Sequence, residues 1–111
     1  MATALKDIYN GQPGTTNTKL YTSSTGVRTR ILAAVVTNDT TTSAYINIHR
    51  VPSGSTATDE YLIVNRKTVY SRETVSLWEI VGQVLEPGDF LSAKSEIADQ
   101  LNLHISGVTV T

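Results

Sequence analysis

Gly82-Gln83-Val84-Leu85-Glu86-Pro87-Gly88-Asp89-Phe90-Leu91-Ser92-Ala93-Lys94, followed by Leu101-Asn102-Leu103-His104-Ile105-Ser106-Gly107-Val108-Thr109-Val110-Thr111, is the stretch that decides the fold. In Glu86-Pro87-Gly88-Asp89, Pro at the second position presets φ and Gly at the third supplies a positive φ, the requirements of a type II turn. The turn feeds a strand, Phe90 to Lys94, with Leu91 and Ala93 on one face. After a polar break, a last strand carries Leu101, Leu103 and Ile105, then Val108 and Val110. The apolar positions are odd-numbered before Ser106-Gly107 and even-numbered after it. One extra residue in a strand shifts the phase this way, and glycine is usual there, so the pattern predicts a bulge or kink at Gly107.

Working outward, the same short-strand rhythm continues. Residues 4–9 read as a short first strand or an arm, and Asn10-Gly11-Gln12-Pro13-Gly14 breaks it. Lys19 to Thr22 is a short strand. Val27 to Asn38 is the longest early strand, with Val27, Thr29 and Ile31 on one face and Arg28, Arg30 and Leu32 on the other. Its continuous apolar run, Ile31 to Val36, predicts a strand passing from a solvated edge to a buried centre. Asn38 to Ser43 is a hairpin loop. In Ala44 to Val51, Ala44, Ile46 and Ile48 are expected to face the core, and Tyr45, Asn47 and His49 to face out. Glu60 to Val64 is a strand, Asn65-Arg66-Lys67 a polar break, Val69-Tyr70 a strand remnant, and Thr74 to Leu77 a further strand. Trp78 to Gly82 fits one helical turn or a strand, and Glu96 to Gln100 is a very short helix candidate. About seven to nine short strands separated by turns predict an all-β fold, an antiparallel β-sandwich or jelly roll.

Composition narrows the functional classes. The chain has 111 residues, 40% of them hydrophobic and 17% charged, with a net charge of −1. That is one domain, able to hide about 65% of its unfolded surface. The balance argues against a non-specific nucleic-acid or anionic-membrane binder. With no cysteine, there is neither a disulfide nor a thiolate metal site. No segment nears the roughly 18 continuous apolar residues of a membrane span. The first residues lack the apolar core of a signal peptide, so the expectation is synthesis in a cytoplasm without export by that route. About a quarter of the chain is Ser or Thr, which suits strands and turns and gives a surface polar without charge.

No catalytic constellation is legible. His49 and His104 are both expected on outward faces, and a catalytic or metal pair would need them adjacent, with a carboxylate or third ligand. No serine sits in a nucleophile elbow, and no phosphate-binding glycine loop occurs. Asp89 is expected to bond the backbone amides of its own turn. Arg28, Arg30, Arg50, Arg66, Lys67 and Arg72 are spread over four segments, with no aromatic interleaving of the kind that binds single strands. No cofactor, metal or direct nucleic-acid contact is expected. Tyr9, Tyr21 and Tyr45 are the candidate interface anchors, with His49 and Trp78 as further protein-contact candidates, Trp78 in the core or at a subunit contact.

The run Leu77 to Asp89, then Leu91 to Ser95, then Leu101 to Val108, resembles a pattern common in small structural proteins of tailed bacteriophages. The front half resembles it too: Lys19 to Thr22, a turn, the strand to Thr37, a Thr-rich loop, and the strand Tyr45 to His49. Val84 to Asp89 with Leu91-Ser92-Ala93, and Ile105-Ser106-Gly107-Val108, are its most specific pieces. The resemblance spans about residues 18–111, which implies a β-sandwich domain there and an N-terminal arm or edge strand at 1–17. It implies a non-enzymatic protein of the virion, made in the host cytoplasm. Its partners would be the major capsid protein and copies of itself, as a homotrimer. The first expectation is a head decoration or cement protein. The alternatives are a tail, neck or baseplate component and, from another class, a carbohydrate-binding β-sandwich.

Overall fold

A computed structural model describes residues 2–111. The strands are β1 (Thr3–Gly11), β2 (Thr18–Thr22), β3 (Arg28–Asn38), β4 (Ala44–Val51), β5 (Leu62–Val69), β6 (Thr74–Ser76), β7 (Val84–Leu85), β8 (Phe90–Ser95) and β9 (Leu101–Val110). They form two antiparallel sheets. The first has the order β1-β9-β3-β6, with β7 following β6 along β3; the second has the order β2-β8-β4-β5. The all-β sandwich expected from the turn spacing is what the chain forms.

The pairing is nested. β1 pairs with β9, β2 with β8, β3 with β6 and β7, and β4 with β5. A single long hairpin rolled up so that successive rungs alternate between sheets gives this order, the jelly-roll form of the sandwich. Rolling then creates the two pairings that cross the rungs, β3 with β9 and β4 with β8. The inner faces supply the core: Ile31 and Val36 of β3, Leu103 and Ile105 of β9, Ile46 and Ile48 of β4, and Leu91 of β8, with Leu77, Ile80 and Leu85 closing one side.

The turn Glu86–Asp89 is where three connections meet. Gly88 has φ +88°, as the type II reading requires. The Gly88 N–H donates to Ser23 O at 2.7 Å and the Ser23 N–H to Asp89 O at 2.9 Å. The Asp89 carboxylate accepts from the Glu86 N–H at 3.0 Å, as expected of a turn aspartate. It also accepts from the Ser53 N–H at 3.0 Å and from Arg50 Nη2 at 3.1 Å.

Five local expectations are corrected. The bulge foreseen at Gly107 lies on its neighbours. β9 is regular, and β1 and β3 each carry one extra residue, Ile8 and Leu32, beside Ser106-Gly107. Glycine is required there for close approach: a Cβ would overlap the Arg30 carbonyl oxygen and lie 2.7 Å from Ile8 Cδ1. The polar break at Asn65-Arg66-Lys67 is the middle of β5, because Arg66 adopts φ +51° and lets the strand carry an extra residue opposite β4. Glu60 and Tyr61 belong instead to a 3-10 turn, Asp59–Tyr61. Trp78–Gly82 is a turn that inserts Ile80 into the core, and Glu96–Gln100 is likewise non-helical.

Candidate functional site

The outer side of the first sheet is where this molecule departs from an ordinary polar surface. Directly opposed residues in antiparallel strands project on one face. Leu5 opposes Val108, Val108 opposes Arg30, and Arg30 opposes Val84, so these four form one row across β1, β9, β3 and β7. Leu5 is 87% exposed, Leu32 47% and Val84 39%. Leu32 is the bulged residue of β3, and with Leu5, Asp7 and Ser106 it borders a shallow depression of about 410 Å³. The continuous apolar run of β3 therefore does not enter a doubly buried centre, since Leu32 and Ala33 are exposed.

Trp78 is a further exposed large apolar group, in the turn between β6 and β7. Its turn is anchored to β3 at both ends, by Leu77 N–H to Ala34 O at 2.9 Å and Gly82 N–H to Ile31 O at 2.7 Å. Leu77 and Ile80 point into the core while Trp78 is 73% exposed. Of the two placements expected for it, the core is excluded.

The second sheet is different. Asn47 and His49, expected on an outward solvated face, are both buried, as are Ser92 and Ser95 of β8. β4 is a central strand, and the 3-10 turn Asp59–Tyr61 packs against it. Asn47 is satisfied there, its Oδ1 accepting from the Arg66 N–H at 2.5 Å. His49 is not: its Nδ1 is buried and has no hydrogen-bond partner. Burial lowers its pKa below the usual histidine value; Asp59 opposes the shift and Lys94 adds to it.

The three tyrosines do not converge. Tyr9 is half-buried against the core, and burial raises its pKa. Tyr21 is half-buried too, its hydroxyl 2.9 Å from Thr29 Oγ1. Tyr45 sits on the second sheet, with the Arg66 guanidinium 4.5 Å above its ring. Trp78 lies in the turn between β6 and β7, and His49 is interior.

The charged groups are dispersed, and four of the nine basic residues are ion-paired. Arg28 bonds Glu86 at 2.7 Å, Arg50 bonds Asp89 at 3.1 Å, Lys67 bonds Glu79 at 3.1 Å and Arg72 bonds Asp39 at 2.9 Å. Of the six basic residues singled out in the sequence, Arg30 and Arg66 make no ion pair among the described residues. His104 Nδ1 lies 2.6 Å from Asn10 Oδ1, and Asn10 Nδ2 donates to Asp7 at 2.5 Å, an exposed polar chain beside the apolar row. The two histidines lie in different sheets. Among the described residues, no three His, Cys, Asp or Glu side chains are grouped to hold a metal. What the arrangement can do is bind by burying an apolar strip.

Leu5, Leu32 and Val84 were not among the sequence candidates. The signal for Leu32 was present, since alternation put it on the face of Arg28 and Arg30. No comparable signal marks Leu5, because only the pairing of β1 with β9 assigns its face. No protein family, characterised protein or solved structure matches this chain.

Proposed function

We propose that this chain is a structural protein of a bacteriophage virion, a head decoration or cement protein that bridges major capsid subunits. The observation that supports the reading is the exposed apolar strip Leu5, Leu32 and Val84, with Trp78 exposed as well, on a sandwich whose core is already closed. Interface centres favour apolar and aromatic groups over charge. The resemblance in the turn and closing strand supplies the particle.

The mechanism is mechanical. A jelly roll cross-braced by the Asp89 turn is a rigid body, and its apolar strip covers a seam between capsid subunits. Because it binds only the assembled shell, it shifts the equilibrium toward assembly. Repeated copies add through multivalency.

Electron microscopy and protein quantification of purified particles test this. Hundreds of copies on the head are expected. A ring of about ten at the tail would replace the reading by the tail, neck or baseplate alternative. Absence from particles would remove both.

A further inference from the structure

We infer that the free edge of β1 pairs antiparallel with β1 of a second copy, on a two-fold axis through Leu5, joining the first sheets of two molecules into one. This goes beyond the particle reading and does not depend on it.

The first observation is how the sheet edges differ. β2 has a register shift between Lys19 and Tyr21, and β5 has two shifts and the left-handed Arg66. β6 spans Thr74–Ser76 and β7 only Val84–Leu85. Short, bulged or twisted edges are the usual protection against pairing. β1 has none of these over Thr3–Asp7; its bulge comes after Asp7. All of Thr3–Asp7 is exposed, and among the described residues β1 has no strand partner besides β9.

The second observation is which groups that edge presents. Ala2 and Thr111 exchange both backbone hydrogen bonds, at 3.1 and 2.9 Å. Antiparallel ladders alternate, so Ala4 and Lys6 also direct their N–H and C=O toward β9. Thr3, Leu5 and Asp7 therefore direct theirs outward. They are the donors and acceptors a new strand would meet.

Charge and the number of outward-facing groups used then select the register. Like charges directly opposite one another destabilise an antiparallel pair. Pairing Leu5 with Asp7 of the second copy places Lys6 opposite Lys6, and a further shift places Asp7 opposite Asp7. Pairing Leu5 with Leu5 sets Thr3 against Asp7 and Ala4 against Lys6, with no like pair opposed. It uses all three outward residues of each strand, for about six hydrogen bonds. Leu5 is also the midpoint of the unbulged stretch. Its 87% exposed side chain would meet its own copy there, and the row Val84–Arg30–Val108–Leu5 would continue across the axis in reverse. The occupant that fits this edge by symmetry is the chain itself. The product is a dimer, in place of the homotrimer implied by the resemblance.

The chain has no cysteine, so single cysteines report the geometry directly. Leu5→Cys is expected to form a disulfide-linked dimer under mild oxidation, because opposed hydrogen-bonded residues have Cα atoms about 5.5 Å apart. Thr3→Cys and Asp7→Cys are expected to cross-link when mixed and not singly. Sedimentation equilibrium of the unmodified chain should give twice its 12.0 kDa mass. Leu5→Pro leaves the β9 pairing intact and deletes the donor at the axis. It should weaken dimerisation roughly tenfold or more, with the circular dichroism spectrum unchanged. A monomer or trimer by mass, Leu5→Cys that stays uncross-linked, or Thr3→Cys that cross-links alone as readily as in the mixture, each overturns the inference. So does a sheet continued across β1 into a different protein on a particle. Particle attachment is scored separately by co-sedimentation, so either reading can fail alone.

Discussion

The carboxylate of Asp89 accepts a hydrogen bond from the backbone N–H of Ser53, which lies just beyond β4. The same side chain holds its own turn through Glu86 N–H and receives Arg50 Nη2. Arg50 in turn donates to Val84 O from Nε at 3.0 Å and from Nη2 at 2.7 Å. One buried carboxylate thus fastens the β4–β5 connection to the β7–β8 turn. Asp89→Ala would orphan a backbone amide and leave the Arg50 guanidinium without its counter-charge. It is expected to lower unfolding free energy by about 3 kcal/mol in urea titration. Asp89→Asn, which keeps one acceptor oxygen, should lose less.

Gly107→Ala is expected to cost roughly 2–3 kcal/mol. The obstruction includes the Arg30 carbonyl oxygen, a backbone atom that cannot swing aside. Trimming Ile8 to Ala in the same chain should therefore not restore stability. Restoration in a thermal melt would show that the side chain, rather than the backbone, sets the limit.

His49 makes stability depend on pH. Burial depresses its folded-state pKa relative to the ordinary value of 6.5. Below about 6.5 the unfolded chain binds a proton that the folded chain refuses, so stability falls as pH drops through that value. The fall continues until the depressed folded-state pKa is reached. Melting temperature followed from pH 7.5 to 5 should decline more in the parent than in His49→Gln. Equal slopes would place the acid sensitivity elsewhere.

Leu32→Asp and Trp78→Ala test the exposed apolar groups without touching the core. Both residues are exposed, so stability should change by no more than about 0.5 kcal/mol. Co-sedimentation with assembled heads should drop sharply for both. Unchanged attachment would mean that the protein binds through another face.

The fold was largely legible because its punctuation is strong. Pro87-Gly88, Pro52 and the Thr-rich loop after Asn38 mark boundaries that any antiparallel arrangement must respect, and the alternation of Ala44, Ile46 and Ile48 names one core face. Two kinds of information were missing. Where an extra residue sits is a property of a strand pair, so the phase change near Gly107 was assigned to β9 although β1 and β3 bear it. Whether a second face is covered depends on distant segments. Asn47 and His49 look solvent-facing by alternation, yet the turn at Asp59–Tyr61 packs against their strand. Leu32 and Ala33 look interior by hydropathy, yet none of the described residues covers them. The candidate surface stayed hidden for that second reason.

The nesting of the strands also sets an order of events in folding. Only the ten residues between Val51 and Leu62 separate the innermost rung, β4 with β5, whereas β1 must wait for β9, almost the whole chain away. Loop-closure entropy therefore favours folding from the inside outward, at the slow rates typical of non-local β pairing. In pulse-labelled hydrogen exchange, amides of β4 and β5 are expected to gain protection before those of β1. Because β9 is the strand between β1 and β3, the first sheet is two separate pieces until β9 slides between them. A nascent chain on the ribosome holds β1 unsatisfied on both sides until β9 has been made.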